Sequence, residues 1–232
     1  MADVDAVVLL SGGLDSLTCA GIAAQKHRPS RVLALSLYYG QKHEKELRAA
    51  EAISEALGLQ YSSRQLPVDV FRGAGSALVD PIEMPEATYE ELQQQQGPGT
   101  AYVPFRNANL LSVATAIALT VGAEEVYFGA HATDAHNWAY PDCTPEFVGA
   151  MANAIYVGTY HKVRLVTPLL HLTKAEVVRK AAELKLPLHL TWSCYNGREK
   201  QCGKCPTCLE RINAFRANGL VDPVPYEIEV NW

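Results

Sequence analysis

The chain has 232 residues, of which 48% are hydrophobic and 19% are charged, and its formal net charge is −5. These values suit one sizeable α/β domain with a small appendage. The negative charge argues against a nucleic-acid binder with a broad basic face. No apolar run is long enough to span a bilayer, and no basic region precedes the first apolar run as in a signal peptide. We therefore expect a cytoplasmic protein without nucleic-acid or membrane partners.

The stretch from Ala6 to Ser16 organises the rest of the chain. Its uninterrupted apolar run predicts a strand buried on both faces, and helix-forming sequence resumes at about Leu14. Between them, the Ser11-Gly12-Gly13 turn offers unpaired N–H groups beside a helix N-terminus, which is a site for anions. A plain β–α turn that needs glycine is the alternative. Ser-Gly-Gly-x-Asp-Ser directly after a buried strand favours a phosphate-binding loop.

Asp15 adds a carboxylate to this loop, which suggests a Mg²⁺ ion between it and the phosphates. No Gly-Lys-Ser/Thr follows the glycines, so the loop is not a Walker A motif. The hexapeptide resembles the pyrophosphatase loop (PP-loop) of enzymes that split ATP into AMP and pyrophosphate. That resemblance implies an ATP site formed by Leu10, Ser11, Gly12, Gly13, Leu14, Asp15, Ser16, Leu17, Thr18 and Cys19.

Strand-like and helix-like segments alternate after the loop, which predicts a doubly wound, mainly parallel sheet with right-handed crossovers. Strands are expected at 32–37, 61–68, 125–129, 163–166 and 226–230, and helices at 14–26, 44–57, 107–121, 145–160, 173–184 and 206–217. Thr173 and Glu176 form a capping-box pattern that marks one helix start. In such a sheet the ligand crevice lies at the carboxyl ends of the strands.

Residues 72–100 depart from this alternation because they are rich in glycine and proline and include a run of four glutamines. A long excursion of this kind predicts a lid or a disordered insertion, with one short polar helix at 86–96. We assign residues 1–190 to the ATP-binding α/β domain, with 72–100 as its lid or mobile insertion. Residues 191–232 form a small C-terminal metal-binding segment.

Four of the six cysteines, Cys194, Cys202, Cys205 and Cys208, fall within fifteen residues. In a chain without an export signal, this crowding favours a metal over disulfides. Four thiolates at tetrahedral distances close a structural zinc site with no open position. An iron–sulfur cluster is the serious rival, because four cysteines also hold such clusters.

Further motifs are spread over nearly the whole length of the chain. They are Leu10 to Ser16, Tyr39 to His43, Val103 to Asn107, Asp134, Tyr140 to Cys143, Lys174 to Glu176, and Thr191 to Tyr195 with the three later cysteines. On these motifs the chain resembles the 7-cyano-7-deazaguanine synthases, the family that makes a queuosine precursor. The resemblance implies a two-stage ligase. One ATP adenylates the carboxylate of 7-carboxy-7-deazaguanine, ammonia gives the amide, and a second ATP activates the amide oxygen so that loss of AMP leaves the nitrile.

The resemblance also implies ATP, Mg²⁺ and Zn²⁺ as cofactors and a homodimer. Arg106 precedes a buried helix and could pair with the carboxylate or a phosphate in fork geometry. Lys174 lies in a first helical turn, where a cation gains nothing from the dipole, so we expect a phosphate contact. Asp134 and Asp142 lie on a loop after a strand, which favours a site role, whereas Cys143 is expected to pack.

The expected site therefore has two parts. The catalytic residues are Asp15, Arg106, Asp134 and Lys174, and the substrate-binding residues are Tyr39, Gln41, His43, Arg106, Asn107, Tyr140 and Asp142. For His43, a surface position is an equal alternative to a substrate contact.

The chain departs from the family pattern on the substrate side at three residues, and the family has a shorter link between the equivalents of Asp134 and Tyr140. Phe105 stands where the family has glycine, Thr144 where it has arginine, and His131 near an asparagine. These departures leave a second hypothesis open: a paralogue that joins the activated acid to another amine, for example on a protein, or that stops at the amide. A third hypothesis is a non-catalytic nucleotide-binding zinc module. Asp15 and Ser16 argue against it, because a binding protein has no need to release pyrophosphate.

Overall fold

The computed structural model describes residues 3–42, 44–86, 99–136 and 139–232. Its strands are β1 (Ala6–Leu9), β2 (Val32–Tyr38), β3 (Gln60–Gln65), β4 (Glu125–Tyr127) and β5 (Arg164–Val166). They form one parallel sheet in the order β3-β2-β1-β4-β5. Val7 of the central strand pairs with Leu33 of β2 and Val126 of β4. The strand order reverses between β1 and β4, where ligand crevices open in sheets of this kind.

The helices are α1 (Leu14–Lys26), α2 (Lys45–Leu57), α3 (Arg106–Val121), α4 (Ala132–Ala135), α5 (Pro145–Gly158), α6 (Lys174–Glu183) and α7 (Pro206–Ala217). Every predicted helix that falls wholly within the described residues forms, with ends within two residues of the expected ones. The capping box at the start of α6 is confirmed, since Thr173 and Glu176 exchange side-chain and backbone hydrogen bonds. The short α4 was not predicted.

The two faces of the sheet bury separate cores. Ala6 and Val8 of β1 point to a core shared with α1, α2, α6 and α7, whereas Val7 and Leu9 point to a second core with α3 and α5. Successive strand residues face opposite sides, so an uninterrupted apolar strand is needed where helices cover both faces. The doubly wound α/β architecture expected from the sequence is confirmed. No helix in the described ranges is long and apolar enough to cross a membrane.

The C-terminal strand predicted at 226–230 is wrong. Its alternating pattern gives only one isolated bridge, between Tyr226 and Gln201. Residues of this segment instead make separate side-chain contacts. The Tyr226 hydroxyl donates to Asp222 at 2.7 Å, and Glu227 forms an ion pair with Arg198 at 2.9 Å. The strand expected at 61–68 is also shorter, because β3 ends at Gln65.

The excursion at 72–100 is described at its two ends. Asp80 ties the first end together, because its two carboxylate oxygens accept N–H bonds from Gly73 and Gly75 at 2.8 and 2.7 Å. Leu78 is 8% exposed and packs with Val103 from beyond the excursion. The short helix expected at 86–96 lies almost entirely outside the described residues, and the lid stays a prediction.

Candidate active site

The loop between β1 and α1 forms one end of a crevice above the sheet. Gly12 has a φ of +92°, and a Cβ there would lie 2.2 Å from the carbonyl oxygen of Glu46. Only glycine therefore allows α2 to pack this closely on the loop. The Ser16 hydroxyl donates to the Gly13 carbonyl at 3.0 Å and accepts the Ser11 N–H at 3.2 Å. The loop is closed on itself, as a preformed anion site requires.

Some residues of the predicted ATP site reach this crevice and others do not. Those that line it are Leu10, Ser11, Gly13, Leu14, Asp15 and Ser16. The next three, Leu17, Thr18 and Cys19, are fully buried behind the loop. The Thr18 hydroxyl donates to the Leu14 carbonyl at 2.8 Å, inside α1. We therefore limit the candidate phosphate contacts to residues 10–16.

Five ionisable side chains meet beside the loop, and we call them the floor cluster: Asp15, His131, Asp134, Lys174 and Glu210. The Lys174 ammonium donates to the two Asp15 oxygens at 2.9 and 2.7 Å. It lies 3.7 Å from a Glu210 oxygen. His131 Nε2 lies 3.3 Å from Asp134 Oδ2 and 3.6 Å from Asp15 Oδ2. An ammonium and an imidazole thus face three carboxylates.

This arrangement shifts the pKa values within the floor cluster. Burial opposes ionisation of Asp15, but Lys174 and His131 outweigh it and hold the pKa of this carboxyl well below its usual range. Burial likewise opposes protonation of His131, yet Asp134 and Asp15 raise its pKa to about 9. Burial raises the pKa of Glu210 to about 7, while Lys174 acts in the opposite direction. The cluster therefore holds its charges by mutual attraction.

Two sequence expectations bear on the floor cluster. Lys174, expected on a phosphate, has its ammonium on Asp15, so its phosphate contact stays a prediction. His131 is fully buried, and its Nδ1 lies 3.4 Å from the Asp134 backbone nitrogen while Nε2 faces the carboxylates. A neutral residue at position 131 would not add this second cation. Glu210 was not predicted at all, because nothing in the sequence connects α7 with the phosphate loop.

The crevice is also lined by Glu46, from the first turn of α2, and by Arg106, from the first turn of α3. We call these two residues the wall pair. Arg106 Nη1 donates to the Tyr39 hydroxyl at 3.0 Å, and its Nε is buried without a hydrogen-bond partner. Burial raises the pKa of Glu46 to about 7, and Arg106 partly offsets that effect. Arg106 was predicted, whereas Glu46 was missed because a glutamate in a charged helix carries no distinguishing signal.

The other predicted substrate residues fall into two groups. Gln41 lines the crevice, but its side-chain oxygen accepts the Tyr39 N–H at 2.8 Å and so holds its own loop. Asn107 also lines it, and its backbone N–H donates to Asp142 Oδ2 at 3.0 Å. Asp142 thereby caps the N-terminus of α3, and neither it nor Tyr140 lines the crevice. His43 lies outside the described residues.

The departures at Phe105 and Thr144 have different structural consequences. Phe105 precedes α3 with a φ of 54°, a left-handed conformation that favours glycine. It is 60% exposed, and its ring meets the edge of Phe147 at 6.2 Å between centroids. Thr144 is buried and caps α5, since its hydroxyl accepts the Phe147 N–H at 3.2 Å. Cys143 is 7% exposed but also lines the crevice, so its packing role stays a prediction.

The four clustered cysteines are buried and their sulfur atoms lie within 4.8 Å of one another. Zinc–sulfur bonds of about 2.3 Å in a tetrahedron place sulfurs about 3.8 Å apart, and Cys202 Sγ lies 3.9 Å from Cys208 Sγ. Backbone N–H groups of Asn196 and Cys202 both point at Cys194 Sγ at 3.4 Å, which favours a thiolate. The donor set could hold a metal. That the metal is zinc stays a prediction.

The cysteine segment also braces the phosphate loop. Arg211 of α7 is fully buried and donates to both oxygens of Asp222 at 2.6 and 2.9 Å, and to the Thr191 hydroxyl at 2.7 Å. Beside Thr191, the Trp192 N–H donates to the Gly12 carbonyl at 2.9 Å. Sequence reasoning missed Arg211, because a single arginine on a helix predicts a surface position.

Comparisons with known proteins place these features in context. A family model described as queuosine biosynthesis protein QueC matches residues 5–219. The chain is 43% identical over 222 residues to the 7-cyano-7-deazaguanine synthase of Marinomonas sp. (strain MWYL1), covering 96% of this chain and 98% of that one. It is 42% identical over 229 residues to the same-named protein of Caldicellulosiruptor bescii, covering 98% and 99%.

Among solved structures, the U34-tRNA thiolase NcsA from Methanococcus maripaludis with its 4Fe–4S cluster is similar to this chain. The match covers 93% of this chain and 66% of that one, with a TM-score of 0.52 and 18% identity. At that identity the similarity shows a shared fold and nothing about the reaction or the metal.

Proposed function

This chain belongs to the queuosine biosynthesis protein QueC family, and from that membership we propose that it is an ATP-dependent ligase that converts 7-carboxy-7-deazaguanine and ammonia to 7-cyano-7-deazaguanine. The observation that carries the proposal is identity of 42–43% to two 7-cyano-7-deazaguanine synthases over at least 96% of this chain. The crevice supports this proposal, because residues of the phosphate loop and of the floor cluster line it together with Arg106, and Arg106 can bind the carboxylate of an acid substrate.

The chemistry requires two activations. In the first, a carboxylate oxygen of the acid attacks the α-phosphorus of ATP, and pyrophosphate leaves. Ammonia then attacks the acyl carbon of the adenylate, loses a proton, and expels AMP to give the amide. In the second, the amide oxygen attacks another ATP and pyrophosphate leaves again. Loss of AMP and two protons from that adduct leaves the C≡N bond, so two ATP are consumed per nitrile.

The phosphate loop and the floor cluster supply the charge compensation. The backbone N–H groups of the first turn of α1, from Leu14 to Ser16, bind phosphate oxygens. Asp15 and Asp134 side chains are 25% and 24% exposed and offer the oxygen ligands that Mg²⁺ prefers. A bound Mg²⁺ would neutralise phosphate charge. The Lys174 ammonium, held by both Asp15 oxygens, adds positive charge beside the phosphate loop as pyrophosphate leaves.

The acid and the ammonia meet between Arg106 of the wall pair and Asp134 of the floor cluster. Arg106 lines the crevice, and its guanidinium orients the substrate carboxylate. Asp134 lines the crevice, so its carboxylate accepts the proton that ammonia loses. We also propose structural zinc at the cysteine cluster, a homodimer, and cytoplasmic residence.

Incubation of the protein with 7-carboxy-7-deazaguanine, ATP, Mg²⁺ and ammonium tests the proposal. Mass spectrometry should show the nitrile, with two AMP and two pyrophosphate formed per product. Omitting the acid should leave pyrophosphate release at background. No release of pyrophosphate under any of these conditions would reject the ligase and leave a non-catalytic nucleotide-binding module.

His131 favours a second candidate, a paralogue with a different acceptor or one that stops at the amide. Its cation stands within 3.6 Å of Asp15 and Asp134, where the family pattern has a neutral residue. The same assay separates the candidates. Accumulated amide means that the second activation is absent, whereas an adenylate that ammonium cannot discharge means that another amine, such as one on a protein, is the acceptor.

A further inference from the structure

The wall pair has charges that the protein itself leaves without partners. Among the described residues, no side chain donates a hydrogen bond to the Glu46 carboxylate, and Arg106 does not form an ion pair with it. Both side chains line the crevice, and Arg106 partly offsets the effect of burial on the Glu46 pKa. The Arg106 Nε is buried and has no hydrogen-bond partner.

The unpaired Arg106 Nε is costly, because a buried donor normally has a partner, whereas the Glu46 side chain is half-buried. Tyr39 takes one N–H of Arg106 at 3.0 Å, which fixes the guanidinium and leaves its remaining donors directed elsewhere. Both members of the wall pair line the crevice. A ligand that presents an acceptor next to donors would satisfy both groups at once.

This requirement describes the lactam edge of a guanine-type ring. There, the C6 carbonyl is an acceptor, and it adjoins the N1–H and 2-amino donors on the same planar edge. Two parallel N–H groups match the two oxygens of one carboxylate, as in bidentate pairs. Adenine carries a 6-amino donor and an N1 acceptor on the corresponding edge. In the same orientation it would place the amino donor against the guanidinium and the N1 acceptor against the carboxylate. Leu37, Leu78 and Tyr195 add apolar and aromatic surface for the ring faces.

We propose that Glu46 and Arg106 together read the lactam edge of the deazaguanine ring, with Glu46 accepting from N1–H and the 2-amino group and Arg106 donating to the C6 carbonyl. This inference rests on the proposed function and names how the ring is selected. In a 7-substituted deazaguanine the carboxylate flanks the C6 carbonyl. Arg106 therefore orients the carboxylate at the same corner, and the reacting group points away from Glu46.

Calorimetric titration of the full chain tests the proposal with two ligands, 7-carboxy-7-deazaguanine and its 2-desamino analogue, 7-carboxy-7-deazahypoxanthine. Wild-type protein should bind the first roughly 10- to 100-fold more tightly, because the analogue lacks one charge-assisted hydrogen bond. Glu46→Gln should weaken the first ligand by a similar factor and bring the two dissociation constants within about threefold. Glu51→Gln is the matched control, because Glu51 is exposed on the same helix.

The wild-type comparison needs no variant, so the test stands even if Glu46→Gln folds poorly. Equal wild-type affinity for the two acids would overturn the inference while leaving the proposed function intact. A Glu46→Gln variant that loses affinity for ATP but keeps its preference between the acids would also overturn it, by placing adenine at Glu46. If neither acid binds, the proposed function fails. The pair 7-deazaguanine and 7-deazahypoxanthine then tests edge reading alone, where a wild-type preference for the first supports it and no preference overturns it.

Discussion

The floor cluster and the wall pair both place charged side chains in one crevice, but they treat those charges in opposite ways. In the floor cluster, Lys174 and His131 lie within 2.7–3.7 Å of carboxylates on three different elements. In the wall pair, Glu46 and Arg106 both line the crevice, and no ion pair between them forms. Paired charges fix the positions of their side chains before a ligand arrives, whereas unpaired charges remain available to bind the ligand.

The difference assigns each region a task. Phosphates and metal ions are similar for every ATP-dependent ligase, so a preorganised floor suits charge that develops during the reaction. The ring of the substrate is what the enzyme must select, and selection is strongest where a missing ligand group leaves a buried polar group unpaired. Substitutions in the floor cluster should therefore change mainly stability, and substitutions in the wall pair should change mainly specificity.

The largest effect should come from the four-cysteine cluster, which α7 connects to the floor cluster. Glu210 lies two residues beyond Cys208, and Cys205 caps the same helix. Cys205→Ser opens the four-thiolate site, so we expect metal content to fall and stability to drop by on the order of 5 kcal/mol, or roughly 10 to 20 °C in Tm. Elemental analysis and calorimetry measure both quantities.

Lys204→Ala is the control for the cysteine variant, because its side chain is 52% exposed while its backbone stays in place. We expect it to keep the metal and the wild-type Tm. Iron in the elemental analysis would reject zinc, and a metal-free Cys205→Ser protein with unchanged Tm would show that α7 and the floor are independent of the cluster.

Lys174→Met should have the next largest effect, because it leaves Asp15 and Glu210 facing each other without the ammonium between them. Breaking a buried pair by removing one partner costs about 3 to 5 kcal/mol, and we also expect pyrophosphate release to be lost. Urea unfolding and a pyrophosphate assay measure the two effects. The matched control is Lys180→Met, whose side chain is 44% exposed and pairs only with Glu183 on the same helix. Comparable losses in both variants would contradict a preorganised floor.

The features that could be predicted from the sequence are those whose interacting residues lie close together in the chain. The strand, glycine turn and helix from Ala6 to Lys26 are local and were predicted nearly residue by residue. Lys174 and Asp15 are 159 positions apart, so their contact depends on the fold as a whole. The strand predicted at 226–230 was wrong because alternation reports one buried face and not a neighbouring strand.

The wall pair shows that the role of a single charged residue is also hard to predict from the sequence. Arg106 lies in a motif and was predicted, but Glu46 and Arg211 are ordinary charged residues on helices until the fold buries them. Asp142 lies in a motif and received a substrate role, whereas its carboxylate accepts the Asn107 N–H at 3.0 Å and caps α3. Sequence motifs thus located the crevice, and the direction of each side chain required the structure.

The smallest effect, and the sharpest test of the comparison, should come from Glu46→Gln. Burial raises the pKa of Glu46 from 4.5 to about 7, so the folded state holds its proton more tightly than the unfolded state. Wild-type stability should therefore fall as pH rises from about 4.5 to 7 and then stay level, as far as this group is concerned. The glutamine variant lacks that loss, so its free energy of unfolding should exceed that of the wild type by about 1 to 3 kcal/mol above pH 7 and match it near pH 4. Urea unfolding of both proteins at pH 4, 6 and 8 measures the difference, with Glu51→Gln expected to show no such trend. A variant less stable than the wild type at pH 8 would mean that Glu46 is paired within the protein, and the contrast between floor and wall would then be wrong.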